Sequence, residues 1–504
     1  MAQSDHPASH RTDSGIRALQ TAPQPHYRHP VHEILDAESL DRIHQVSLEI
    51  LSEAGMGFYL DDARSLLHDH GCRVEGDMVY FKPDLVEKWI EKAPSSFTQI
   101  ARNPAKSLTL GAGGLCLAPV YGPPFVRDLE GGRRRAVHED FNNFVKLAYS
   151  SQHINHSGGT LVEPADLPQE TRHLDMLFSH IKYSDKPFMG SVTSESNAED
   201  SLEMAQILFN EKASSKNPQL LSLININSPR QFDAGMLEAL TAYSQANQAC
   251  VITPFILSGA MAPVSIAGTV AQLNAEVLAG IVYSQMVNPG APVVYGSFMT
   301  NIDLKSGAPV FGSPESQLAL YASSQLSRRY QLPFRSGGMF TSSKVDDAQS
   351  AYESMMTMLP AINAHTNLIL HAAGWLENGL TAGYEKFMLD EEVVGMLLRF
   401  IGGLEPLDDE GMALDSLLSV EPGGHHLGTD HTMAHYREAF YRADLFDYQD
   451  FDSWDQHGSL LAHQRAAAKV QATLEEYKSP ELEPRLHAEL TRFIETRKGE
   501  LLPG

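Results

Sequence analysis

The feature that most constrains the fold is a series of eight short apolar runs between residues 115 and 374. Successive runs begin about 36 residues apart, and a helix-length amphipathic segment follows each one. The runs are residues 115–120, 154–162, 187–192, 220–226, 250–257, 292–298, 333–340 and 367–374. Strands that alternate with helices form parallel sheets, and eight such units match a closed (β/α)8 barrel. The sequence therefore predicts an α/β fold with a TIM barrel over about residues 111–402.

A doubly wound open sheet is the structural alternative to the closed barrel. The dinucleotide-binding version of that fold places a GxGxxG motif after an early strand, and this sequence has none. No Walker-type phosphate loop is present either. The sequence thus disfavours a nucleotide-binding sheet and favours the barrel.

The segments that flank the barrel have a different character. Residues 1–30 are polar and are predicted to be disordered or extended, and residues 31–110 form an N-terminal elaboration of helices and a hairpin. Its first helix is predicted from Ala37 to Ala54, because the apolar residues share one face and Gly55 follows. Residues 403–504 are predicted to be a C-terminal cap with helices that folds back over one end of the barrel.

Charge and cysteine content exclude several classes of function. The chain has 38 Lys and Arg against 63 Asp and Glu, a net charge of −25, which disfavours contact with nucleic acid or an anionic membrane. Its three cysteines form no CxxC pair, as expected in a reducing compartment. The first 30 residues contain no apolar core typical of a signal peptide, and no run of about 18 apolar residues occurs. A soluble cytoplasmic protein is predicted.

Active sites of TIM barrels lie at the carboxyl ends of the strands, so the strand ends nominate candidate residues. The candidates for substrate binding are Tyr121, His156, Phe298, Arg335, Phe340, His371 and Trp375. Most are aromatic or neutral, and carboxylates are few. Aromatic rings with few carboxylates suit a quaternary ammonium ion, which has no N–H donor and binds ring faces through cation–π contact. His371, then Arg335 and His156, are the candidates for binding an anionic group such as a carboxylate, because they can donate hydrogen bonds to it.

Each of these residues also has a purely structural interpretation. The rings can pack the core or hold the cap on the barrel, and Arg335 can brace the barrel interior through an ion pair. The glycine pairs Gly158-Gly159 and Gly337-Gly338 lack side chains at the barrel mouth and are candidates for the approach of a flat cofactor ring.

A histidine cluster follows the barrel in the segment EPGGHHLGTDHTMAH, residues 421–435. His431 and His435 are four residues apart, but no cysteine or HExxH motif accompanies them, and the first strand has no HxH. Zinc binding, packing of the cap, and a reach of His426 into the substrate pocket are the three alternatives. No bound metal is predicted.

Five segments of the chain resemble the trimethylamine methyltransferase superfamily. They are LDRIHQVSLEILSEAGMGF, APSSFTQIARNP, RHLDMLFSHIKYSDKPFMGS, FRSGGMFTSSKVDDAQSAYE and GGHHLGTDHT, and the resemblance extends over about residues 30–480. It implies a TIM barrel and transfer of a methyl group to the Co(I) of cobalamin, a corrinoid carried by a separate protein. Members that act on trimethylamine carry pyrrolysine, whereas this chain has only the twenty ordinary residues.

The resemblance therefore implies a methyltransferase for a small quaternary amine, with glycine betaine as the default substrate. Proline betaine, carnitine and γ-butyrobetaine are alternatives within the same chemistry. Two other classes remain: a metal-dependent TIM-barrel hydrolase that uses His425 to His435, and a binding protein without catalysis. The expected partners are the amine, a cognate corrinoid protein and further copies of the chain in a homo-oligomer.

Overall fold

The computed structural model describes residues 23–210, 217–404 and 406–502. Most of the N-terminal segment predicted to be disordered or extended, residues 1–22, lies outside the described residues. Residues 23–30 contain no helix, and His26 forms an antiparallel bridge with Gly114.

The centre of the fold is a parallel β-barrel, as predicted. Six of its strands are regular, and each pairs in parallel with the next around the barrel. These strands are Cys116–Leu117, Leu221–Asn227, Ala249–Ser258, Val293–Gly296, Phe334–Gly337 and Leu368–Leu370. Leu368 pairs with Cys116, so the last strand returns to the first.

The second and third barrel positions are irregular, and the predicted run 154–162 is not a regular strand. Backbone hydrogen bonds nevertheless cross the gap: Asn155 N–H donates to Leu117, Ser157 N–H to Pro187, and Met189 N–H to Gly158. Met189 then bridges in parallel to Leu221, which closes the barrel. A reason for the irregularity is that Gly158 has a φ of +92°, which breaks the extended conformation.

A helix follows each barrel position and covers the outside of the barrel. Within the described residues, the helices that follow the eight barrel positions are His138–Ser150, Arg172–Tyr183, Glu195–Phe209, Ala234–Gln245, Ile266–Val287, Pro314–Arg329, Ala348–Asn363 and Tyr384–Ile401. Side chains at N-cap positions start several of them: Asp233 accepts from the amide of Met236, and Asp347 from that of Ser350. In the described part of the chain, only Ile266–Val287 is long and apolar enough to cross a membrane, and most of it is buried in the fold.

The N-terminal elaboration is joined to the barrel sheet. The predicted first helix is present as Ala37–Glu49 followed by a π-helical turn, Ile50–Ala54, and Gly55 ends it with a φ of +67°. The strand Met56–Phe58 pairs in parallel with Gln231–Phe232, which itself pairs with the barrel strand Leu221–Asn227. The other elements of this region are Asp61–Asp69, Arg73–Glu75, Met78–Tyr80, Pro83–Ile90, Phe97–Gln99, Pro104–Lys106 and Leu108–Leu110.

Short strands surround the barrel mouth, where the strands end. Phe125–Asp128, Gly132–Arg135, Thr381–Gly383 and Trp375–Leu376 form one four-stranded sheet, and a 3-10 turn, Glu377–Gly379, joins the last two. Met299–Ile302 and Pro309–Val310 form a hairpin that extends from Ala249–Ser258. These loops place the residues that follow the strands into one region.

The C-terminal residues pack along the outside of the barrel. The helix Tyr384–Ile401 begins beside the mouth and runs back toward the opposite end, so residue 402 lies at the amino ends of the strands. The long helices Ala462–Glu476 and Pro484–Leu501 pack against the outer helices. Between them lie Asp409–Met412, Leu414–Ser419, Asp430–His435 and Phe451–Gln456.

Candidate functional site

Five rings from three different barrel units meet at the mouth. The ring centroids of Phe340 and Trp375 are 4.7 Å apart, and those of His371 and Trp375 are 4.6 Å apart. Phe298 lies 5.4 Å from Phe340 and 5.7 Å from His371. Phe311 lies 5.1 Å from both Phe340 and Trp375. We call these residues, Phe298, Phe311, Phe340, His371 and Trp375, the aromatic box.

The box is close-packed, and a narrow cavity adjoins it. Phe298, Phe311 and Phe340 form one wall of this cavity, and Ser297 and Gly337 line it beside them. Most box contacts are edge-on or tilted, the geometry that aromatic pairs prefer. The arrangement therefore has the aromatic composition that an ammonium ligand requires.

His371 is held in one orientation and one protonation state. Its φ is +62°, a conformation that side chains other than glycine rarely adopt and that often marks functional positions. The backbone N–H of Tyr121 donates to His371 Nδ1 over 3.2 Å. Burial lowers the pKa of His371 well below its usual value, and the charge of Arg335 lowers it further. The ring is therefore neutral with its proton on Nε2, where it is a hydrogen-bond donor.

Arg335 is a buried cation without a carboxylate partner among the described residues. Its guanidinium carbon lies 5.2 Å from the centroid of the Phe298 ring. Nη1 donates to Thr253 Oγ1 over 3.3 Å and to the Ser297 carbonyl over 3.4 Å, both long contacts. Burial lowers the pKa of Arg335 to about 9, so the group still carries its charge at neutral pH. The ion pair that a structural role would require is not found.

Two buried N–H groups at this site have no acceptor among the described residues. They are Nε of Arg335 and Nε1 of Trp375. A buried donor without a partner costs free energy, and such groups are rare in folded proteins. Both residues lie beside the Phe298 ring.

The glycine pairs at the mouth make room for the chain's own side chains. A Cβ at Gly337 would lie 1.8 Å from the Phe340 ring, and one at Gly338 would lie 2.3 Å from Met358 Sδ. At Gly159 it would lie 2.8 Å from the Tyr121 ring, and at Gly158 2.6 Å from Leu161. In this structure these spaces are filled by protein, and they form no open cleft for a flat cofactor ring.

An ion pair underneath the box fixes the loop that carries Trp375. Lys386 and Asp390 form a buried ion pair, and Asp390 Oδ2 accepts from the backbone N–H of Gly374 over 2.9 Å. Burial raises the pKa of Asp390 to about 6, against the opposing charge of Lys386. Gly374 has a φ of +94°, so the turn between His371 and Trp375 depends on this residue and on the carboxylate.

The structure does not present His156 or His426 to the box. His156 is fully buried with both ring nitrogens satisfied, since Nδ1 accepts from the Gly158 amide and Nε2 lies 3.2 Å from Gln99 Oε1. Burial lowers its pKa to about 3, so the ring is uncharged at neutral pH. Its two hydrogen bonds stabilise the irregular second strand. His426 is exposed and contacts Ser416 at 3.1 Å, in the segment that leaves from the other end of the barrel.

The histidine cluster does not form a metal site within the described ranges. No group of three or more His, Cys, Asp or Glu side chains there has the geometry to hold a metal ion. His431 and His435 lie 4.8 Å apart by ring centroids, and His435 pairs with Glu410 at 3.4 Å, on a surface open to solvent. The wide concavity around Asp409, His425 and His431 is therefore a solvated surface of this segment.

Sequence reasoning missed Phe311, Thr253 and Ser297. Phe311 lies in the loop after the sixth strand, 13 residues beyond Phe298. The strand-end rule nominates only residues at the ends of strands, so it does not include Phe311. Including aromatic residues of the strand-to-helix loops among the candidates would have found it. Thr253 and Ser297 are small polar residues, and only their contacts with Arg335 distinguish them.

The fold and the site together define a TIM-barrel protein with a buried aromatic cluster beside an arginine that has no acidic partner among the described residues. The sequence profile described as "Trimethylamine methyltransferase (MTTB)" matches residues 4–502. The chain belongs to this family of methyltransferases.

Individual relatives span nearly all of the chain. It is 43% identical to a glycine betaine methyltransferase of Desulfitobacterium hafniense, covering 94% of this chain and 98% of the relative. It is 29% identical to the proline betaine:corrinoid methyltransferase of Eubacterium limosum, covering 91% and 96%. Among solved structures, the hydroxylamine complex of MtmB aligns with a TM-score of 0.50 at 11% identity and covers 88% of both chains, which supports the fold.

Proposed function

We propose that this protein transfers a methyl group from glycine betaine to the Co(I) of a corrinoid carried by a separate protein, and releases dimethylglycine. The names of the two relatives support a betaine as methyl donor and a corrinoid as acceptor. The higher identity to the glycine betaine enzyme favours this substrate over proline betaine, carnitine and γ-butyrobetaine.

One observation carries the proposal: Nε of Arg335 and Nε1 of Trp375 are buried donors without acceptors, beside the aromatic box. The carboxylate of a betaine provides two acceptor oxygens and neutralises the guanidinium. The trimethylammonium group then lies against the faces of Phe298, Phe340 and Trp375. The carboxylate thus satisfies the donors that the protein leaves unsatisfied, and the ammonium group contacts the aromatic rings.

The same charges explain selection among amines. Choline and trimethylamine bring a cation without a carboxylate, so binding them leaves Arg335 unneutralised and adds a second positive charge in a low-dielectric site. The His371 ring is neutral, which avoids a third positive charge, and its Nε2–H is another donor for the carboxylate. The site therefore favours a zwitterion.

The residues present are those that displacement at a quaternary nitrogen requires. A corrinoid presented by its carrier protein would supply the nucleophile that accepts the methyl group as its C–N bond breaks. The electron pair of that bond remains on nitrogen, and a neutral tertiary amine leaves without needing a proton. The chain accordingly has to position and desolvate the substrate, and the box contains no general acid.

The corrinoid would approach the protein at the barrel mouth, because the spaces beside Gly158, Gly159, Gly337 and Gly338 are filled by protein. We accordingly propose that this chain contacts the partner's cofactor at the rim of the barrel and does not bind it inside the barrel. A cytoplasmic location fits this reaction, since Co(I) is strongly reducing, and the three cysteines are buried and unpaired. No observation favours the hydrolase alternative.

The test is turnover of a panel of amines with cob(I)alamin, measured as demethylated product by mass spectrometry. The panel contains glycine betaine, proline betaine, carnitine, choline and trimethylamine. We expect dimethylglycine to form fastest and choline and trimethylamine to be inactive. A preference for choline, or for no amine, would refute the proposal.

A further inference from the structure

Residues 406–440, here called the arm, are folded but unsupported by the rest of the described chain. Their turns are capped internally: Asp408 accepts from the Gly411 amide, and Ser416 Oγ contacts Thr429 Oγ1 at 3.0 Å. Among the described residues, no hydrogen bond or ion pair joins the arm to the barrel. The next anchor is Tyr441, whose hydroxyl donates to Glu392 over 2.8 Å.

The arm exposes more apolar surface than an isolated chain in water would favour. Phe440 is 88% exposed, Leu407 77%, Leu418 76% and Leu427 75%. Met433 and Tyr436 are also more than half exposed. Soluble monomers rarely expose contiguous apolar surface of this kind, and where it occurs it marks an interface.

A second exposed apolar surface lies on three consecutive outer helices, Pro314–Arg329, Ala348–Asn363 and Tyr384–Ile401. We call it the belt. Its large exposed residues are Leu318, Tyr352, Met355, Met356, Met396 and Phe400. Tyr352 is 76% exposed and Phe400 62%. The last of these helices also leads into the arm, so the belt adjoins the base of the arm.

We propose that the arm of one protomer docks on the belt of a second copy of this chain, and that the exchange is reciprocal. Reciprocal exchange between two protomers, each arm on the other protomer's belt, is a closed and self-complementary two-fold arrangement. One contact then covers both uncovered apolar surfaces of the chain. The interface is independent of the proposed reaction.

A second copy fits this surface better than a corrinoid protein does. The arm leaves from the amino ends of the strands, whereas methyl transfer requires the corrinoid at the barrel mouth, near Trp375. A partner seated on the base of the arm would hold its cofactor at the wrong end of the barrel.

The experiment measures the mass of the full-length chain by sedimentation velocity over a range of concentrations. Wild type is expected at twice the protomer mass of 55.4 kDa. An arm variant (Leu418→Ser, Leu427→Ser, Phe440→Ser) and a belt variant (Tyr352→Ser, Met356→Ser) should each dissociate roughly 100-fold more readily. The matched control, Val264→Ser with Leu304→Ser, alters side chains that are 70% and 76% exposed elsewhere, and should remain a dimer.

Cross-linking locates the contact. Leu418→Cys and Tyr352→Cys chains with different tags, mixed and oxidised, should give a disulfide-linked heterodimer. The native cysteines are buried and contribute little background. A monomeric wild type, or a dimer unchanged in both serine variants, would overturn the proposal. Loss of binding to the corrinoid protein in the arm variant of a monomeric enzyme would assign the surface to that partner instead.

Discussion

The guanidinium carbon of Arg335 lies 5.2 Å from the centroid of the Phe298 ring, and within the described residues no carboxylate neutralises it. A buried cation is expensive unless it is paired, so the position is poised for an anionic group. The ring beside it makes the same position suitable for a substrate that also carries a positive charge.

Arg335→Met is expected to weaken glycine betaine binding by roughly 100-fold, because the substrate carboxylate loses its charged partner. Choline binding should be unchanged or improved, since one positive charge is removed from the site. Calorimetric titration with both ligands measures the two effects. Thr253→Val, which removes only a 3.3 Å contact to Nη1, is the control and should retain most affinity. Equal loss for both ligands would show that the residue acts by packing alone.

Trp375→Leu tests the cation site through the choice between charged and neutral ligands. Wild type should bind glycine betaine more tightly than its carbon isostere, 3,3-dimethylbutanoate, because each ring face stabilises a cation by roughly 0.5–2 kcal/mol. The variant should lose most of this preference in competition binding. Phe255→Leu is the matched control, because Phe255 contacts Phe298 at 5.0 Å but does not belong to the box. If wild type does not discriminate between the two ligands, the cation site is wrong.

Gly337→Ala should disrupt the box without a change of charge. The added Cβ would lie 1.8 Å from the Phe340 ring and must displace it. Overpacking of this kind costs roughly 1–3 kcal/mol of stability. We expect a lower melting temperature and a large loss of betaine affinity. Gly428→Ala, where nothing lies within 4 Å of the new atom, should change neither. Retention of full affinity in Gly337→Ala would show that Phe340 is not needed for binding.

Stability should fall as the pH decreases below about 6.5. Burial lowers the pKa of His156 to about 3 and that of His180 to about 4, so the folded state takes up fewer protons than the unfolded state below their ordinary pKa. The stability that these neutral rings contribute is present above pH 6.5 and is lost on acidification. Urea unfolding at pH 7.5 and pH 5 measures the difference.

His156→Gln should reduce this pH dependence by about 2 kcal/mol over that interval, as expected for one histidine that must stay neutral in the fold. Asp390, whose pKa burial raises to about 6, titrates in the same interval and opposes this trend, but it does so equally in wild type and variant, so the difference between them reports His156. The exposed His426→Gln is the control and should leave the dependence unchanged. An unaltered slope in His156→Gln would refute the assignment.

The sequence alone determined the barrel and the end of it at which the candidate site residues meet. The spacing of the apolar runs is a local property repeated along the chain. The barrel prediction that rests on it holds even though the run 154–162 is not a regular strand. Because parallel strands all end at one rim, the strand-end rule brought Phe298, Phe340, His371 and Trp375 together without any knowledge of contacts.

Only the tertiary structure decided which of the polar candidate residues have their hydrogen-bonding or charge partners within the fold. His156 and Arg335 look equivalent at strand ends, but packing gives the histidine two partners, one of them Gln99, 57 residues away, and leaves the arginine without an acidic one. The position of the arm, with His426 away from the mouth, likewise depends on the direction of the helix Tyr384–Ile401. Burial and pairing are set by contacts between distant parts of the chain, and local patterns do not encode them.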